Sequence, residues 1–82
     1  MVVVRRRTQQ SVATVLRHAV SYFGPEGLGL HVQEADVACV CLRGAADYVT
    51  IRAYALPATG MTAVEVESAQ RFYVTERFLG VI

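Results

Sequence analysis

The sequence predicts an α+β domain: an N-terminal helix, a four-stranded antiparallel meander and a C-terminal helix, with both helices on one sheet face as a two-layer sandwich. Three observations predict it. Residues 8–23 carry apolar side chains at helical spacing, the period changes to two from Leu28 onward, and turn-prone clusters divide the alternating region into four runs. The chain has 82 residues, 54% of them hydrophobic and 18% charged, which excludes a disordered tail and fits one small domain over residues 1–82 with a modest core.

Residues 1–7, "MVVVRRR", read as a flexible or edge-pairing segment. Their apolar residues precede their charges, the reverse of a secretory signal. The helix is expected to start near Thr8, because Arg5–Arg7 would sit badly against its positive N-terminal end. Val12, Val15, Leu16, Ala19, Val20, Tyr22 and Phe23 share one side of it, and Gln10, Ser11, Thr14, Arg17, His18 and Ser21 the other. Gly24 and Pro25 supply the stop.

Strands are expected at 28–33, 37–43, 48–56 and 62–67, separated by "EAD", "GAAD" and "PATGM". Closing the second hairpin symmetrically on "GAAD" sets Leu42 against Val49, Val40 against Ile51 and Ala38 against Ala53. Closing the third on "PATG" sets Ala53 against Val64 and Ile51 against Val66. Both hairpins thus place one small apolar set on one face, and a slip of one residue would turn that whole set to water. Ser68 is positioned to cap a final helix over 69–79, with Phe72, Val74, Phe78, Leu79 and Ile82 along one side, although "RFYVT" is also good strand material.

The opposite sheet face carries the chemistry. The register assigns it Val37, Cys39, Cys41 and Arg43, then Tyr48, Thr50, Arg52 and Tyr54, then Ala63, Glu65 and Glu67. A three-residue "EAD" turn sets His31 opposite Cys39, making His31, Cys39 and Cys41 the candidate metal ligands. Alternate residues on a strand lie roughly 6.5–7 Å apart with parallel side chains, and Arg52 opposite Cys39 adds a cation, so neither a metal centre nor a Cys39–Cys41 disulfide is favoured. The thiols read as small apolar strand residues, and no cofactor is expected.

The other motifs read structurally. "GPEGLG" follows a helix and precedes a strand, the reverse of a phosphate cradle. His18, Thr14 and Ser21 share a polar helix face with no acidic orienter. Glu65 and Glu67 are expected to face Arg52 and Thr50 as ordinary cross-strand pairs. No run approaches the roughly 20 apolar residues that span a bilayer, and a cytoplasmic setting is expected.

Tyr and Arg around a dry centre is an interface composition. The interface candidates are Val37, Cys39, Cys41, Arg43, Tyr48, Arg52, Tyr54 and Glu65, and the leading expectation is a non-catalytic module that self-associates, sheet against sheet or edge to edge. An unidentified protein partner is the heterologous version of the same reading. Two alternatives differ in class: a nucleic-acid-binding module using the same Tyr/Arg face with Arg5–Arg7, and a small enzyme with Cys39, His31 or Glu65 in a site between protomers. A net charge of +1 gives no global drive toward nucleic acid or anionic membrane. All eight basic residues are Arg. The order helix, antiparallel strands, helix resembles the double-stranded-RNA-binding domain in outline. That family has a lysine-rich start to its last helix, where this chain has "SAQRFYV" and no lysine anywhere.

Val40→Asp tests the register. An unpaired charge at a core position costs several kcal/mol, so circular dichroism should show an unfolded chain. A cooperatively melting Val40→Asp variant would place Val40 on the open face instead.

Overall fold

Why the chain folds as it does is clearest from its sheet. The computed structural model describes residues 2–69, 77–80 and 82. The elements are β1 (Val2–Thr8), α1 (Val12–Phe23), β2 (His31–Ala35), β3 (Cys39–Arg43), β4 (Tyr48–Leu56) and β5 (Met61–Ser68). They form one five-stranded sheet in the order β1-β5-β4-β3-β2, with neighbouring strands antiparallel. The four-stranded meander is therefore corrected to five strands, and the order no longer matches the helix-first outline of the double-stranded-RNA-binding domain.

The fifth strand comes from the N-terminal segment. Val2–Val4 are β-branched and fit a pleated surface, and β1 pairs with β5 along its whole length, from Val2 opposite Ser68 to Thr8 opposite Thr62. Arg6 interrupts its alternation, facing Val64 on the core side. It is tolerated because β1 is an edge strand and the side chain remains exposed.

The helix begins later than expected because Thr8 belongs to β1. Ser11 is the N-cap, its Oγ accepting from the Thr14 amide at 3.2 Å. Gly24 ends the helix, its amide donating to the Val20 carbonyl at 2.9 Å. Val15, Leu16, Ala19 and Phe23 are buried on the side the spacing assigns to the core. They meet Val40, Leu42, Val49, Ile51, Ala53, Val64 and Val66 from the sheet. The Val, Leu, Ile and Phe side chains among them contribute about 1.5–3 kcal/mol each when fully buried.

The central register matches the expectation: Leu42 opposite Val49, Val40 opposite Ile51, Ile51 opposite Val66 and Ala53 opposite Val64. The first hairpin differs. Asp36 Oδ1 accepts from the Ala38 amide and the Asp36 amide donates to the Cys39 carbonyl, both at 2.8 Å. This side-chain-stabilised turn sits further along the chain than "EAD". Glu34 and Ala35 thereby remain in β2, opposite Cys41 and Val40, and a bulge between Val32 and Glu34 leaves His31 opposite Arg43. Val37 moves from the strand to the tip of the turn.

The final helix is also corrected. Ser68 is not its cap but the fully buried last residue of β5, opposite both Val2 and Val49. Ala69 is a bend, residues 70–76 lie outside the described residues, and 77–80 are helical. Phe78 and Leu79 are buried there. Phe78 packs against Phe23 and Tyr22 with ring centroids 5.1 and 5.8 Å apart. Thr8 Oγ1 donates to the Ile82 carbonyl at 2.7 Å, tying the end of β1 to this segment.

Phe78→Ala should therefore cost about 3–5 kcal/mol in chemical denaturation, as expected for an aromatic lost from a packed core. A loss below 1 kcal/mol, on the order of a surface substitution, would show that 77–80 does not close the core.

Candidate functional site: the open sheet face

With α1 and residues 77–80 contributing to the apolar side, the other side chains of β1, β5, β4 and β3 share the second face. Strand pairing arranges them in cross-strand rows. One runs Cys39, Arg52, Glu65, Arg5, and the next runs Cys41, Thr50, Glu67, Val3, with Glu34 beyond Cys41. Arg43 and Tyr48 pair at one end, beside His31. Towards the β4–β5 turn, Tyr54, Ala63 and Arg7 form a third row.

Charge crosses this face in alternation. Arg5 Nε donates to Glu65 Oε2 at 3.0 Å, and Arg52 Nη1 donates to Glu65 Oε1 at 3.3 Å. Arg52 Nη1 also lies 3.8 Å from Glu67 Oε1, and the Tyr48 hydroxyl donates to Glu67 Oε2 at 3.2 Å. Both oxygens of Glu65 are thus taken by arginines from the strands on either side. The glutamate side chains are 25% exposed, Arg52 46% and Arg5 73%, so these are solvated pairs that contribute at most about 1 kcal/mol each and serve chiefly to hold side chains in place.

The expected dry centre is consequently a charged one. Cys39, Cys41 and Tyr48 are half-buried beside the ladder, while Arg43 and Tyr54 are exposed. Val37 is 90% exposed at its turn, off the strand face. The expectation paired Glu65 with Arg52 alone and missed Arg5. Its signal lies in "VVVRRRT": read as a strand, that segment puts Arg5 and Arg7 on one face and Arg6 on the other.

The thiols have no activating environment. Partial burial, then the neighbouring Cys41 thiol, raises Cys39 above the ordinary thiol range, and Arg52 only partly opposes this. Thr50 Oγ1 lies 3.7 Å from Cys41 Sγ. His31 is opposite Arg43 rather than Cys39, and among the described residues no group of three or more His, Cys, Asp or Glu could hold a metal ion. Tyr48 is also raised above its ordinary value, by partial desolvation and by the Glu67 carboxylate. No helix among the described residues is long and apolar enough to cross a membrane.

Cys39 should react with a thiol reagent more slowly than free cysteine at pH 7, because its raised pKa lowers the thiolate fraction. In a Cys41→Ser chain, where burial still acts, the rate should keep climbing above the ordinary thiol range. A Cys39 that outpaces free cysteine would restore the enzyme reading.

Comparison with protein-family models, curated proteins and solved structures finds no match to this chain.

Proposed function

We propose that this protein is a small non-catalytic interaction module that pairs with a second copy of itself through the open sheet face. The observation that carries this reading is the alternation Arg5, Glu65, Arg52 and Glu67 across three adjacent strands. These four charges sum to zero over two adjacent cross-strand rows, so a second copy set against them at an offset can bring an arginine of one copy to a glutamate of the other. Each charge already has a partner within its own chain, which limits the desolvation cost of closing the two faces. Half-buried Cys39, Cys41 and Ala63 supply small side chains beside the ladder, and a net charge of +1 leaves little repulsion between copies. A cytoplasmic setting, where free thiols stay reduced, belongs to the same reading.

Light scattering over a concentration series tests it. The expected mass at high concentration is twice the 9.0 kDa of one chain, unchanged by a chelator and reduced by added salt. Arg52→Glu sets a third carboxylate beside Glu65 and Glu67 and should weaken association about tenfold or more, equivalent to roughly 1.4 kcal/mol. Arg17→Glu, on the exposed side of α1, should leave the mass unchanged. A monomer at all concentrations would overturn self-pairing and turn the search to a different protein partner.

A further inference from the structure

At the edge of the sheet, Arg5, the last arginine of the ladder, stands on the same face of β1 as Arg7, which the ladder does not use. Arg5 and Arg7, with Tyr54, Ala63 and Glu65 on the same face, line a groove of about 290 Å³, which Arg6 borders from the opposite face of β1 and Leu56 at its hairpin end. Glu65 offers no free oxygen there, because Arg5 and Arg52 take both. Arg6 and Arg7 make no ion pair with any described residue. Of these two, Arg7 lies on the groove's own face, so one positive charge is left uncompensated there beside the paired Arg5, and a phosphate group supplies the opposite charge. Guanidinium forks suit phosphate oxygens geometrically.

The rest of the lining selects what carries the phosphate. Tyr54 is 54% exposed, and its cross-strand neighbours are Ala63 and, one strand further, Arg7. The small alanine leaves the space beside the tyrosine ring unfilled, and Leu56 extends the apolar floor. A planar aromatic group can stack on the ring while its phosphate reaches the arginines. The volume is at the lower end of the roughly 300–1,000 Å³ of ligand pockets, enough for one such unit. We propose that this corner binds a single nucleotide unit, base on Tyr54 and phosphate between Arg5 and Arg7. A free nucleotide and one residue of a single strand present the same chemistry.

The site shares Arg5, Glu65 and Ala63 with the self-pairing face, so its test varies only Tyr54 and Arg7, which lie outside the charge ladder. The full-length chain is titrated with adenosine 5′-monophosphate, a short single-stranded oligodeoxythymidylate, inorganic phosphate and a phosphotyrosine peptide, with binding read by calorimetry and the mass of each sample by light scattering. The nucleotide should bind at least about fivefold more tightly than inorganic phosphate, from base stacking. Tyr54→Ala should erase that margin, and Arg7→Glu should abolish binding of both. An oligonucleotide that binds more tightly than the mononucleotide, with affinity falling as salt rises, identifies the strand as the source. Equal affinities identify the free nucleotide. No saturable nucleotide or oligonucleotide binding at millimolar concentration would overturn the site. So would equal affinity for nucleotide and inorganic phosphate, tighter binding of the phosphotyrosine peptide, or unchanged binding in both variants. A chain that remains monomeric yet binds the nucleotide refutes self-pairing alone.

Discussion

Strand β5 pairs on both sides, and that double constraint organises the molecule. Thr62, Val64, Val66 and Ser68 are buried, while Ala63, Glu65 and Glu67 between them are half-buried. Because β4 and β1 both read this alternation, neither can shift by one residue without turning its apolar side chains out and its arginines in. The pairing of Val66 with Ile51 and Val4 builds the core, and the adjacent pairing of Glu65 with Arg52 and Arg5 builds the charged face. Core and candidate site are thus two sides of one register.

That dependence explains which parts of the fold were legible in the sequence. Hairpins β3–β4 and β4–β5 have short loops and alternating residues on both arms, so local turn chemistry and side-chain period agree. The β2–β3 hairpin was misplaced because Asp36 offers a side-chain acceptor that competes with the simple "EAD" turn, and the bulge then absorbs the change of phase. β1 is hard to read because "RRR" hides the period: the same residue type stands on both faces, and only the edge position makes that affordable. Ser68 looked like a helix cap because serine favours caps, yet pairing to two strands prevailed over that preference.

The candidate face was legible on β3, β4 and β5 and opaque on β1. The residues of those three strands lie as the alternation places them, apart from Val37. Glu65 had one arginine partner by local reasoning and acquires the second from a strand whose pairing is entirely non-local. The face consequently differs in character across its width: neutralised where β4, β5 and β1 exchange charges, and positive at the corner where β1 carries Arg7 beyond the reach of the glutamates. A surface of this kind separates recognition by shape and complementarity in its middle from attraction of anions at its margin.

The tie between Thr8 and the Ile82 carbonyl spans 74 positions, and among the described residues β1 finds its only partner strand in β5. The earliest of the five strands in chain order is therefore among the last to be satisfied. Until β5 emerges, Val2–Val4 present unpaired backbone and β-branched side chains, and β4 has one bare edge. Closing so long a loop before its contacts form slows folding relative to a local meander. The same interval exposes strand edges to neighbouring chains, so Arg5–Arg7 also act kinetically: three adjacent cations keep nascent copies of β1 from pairing with one another.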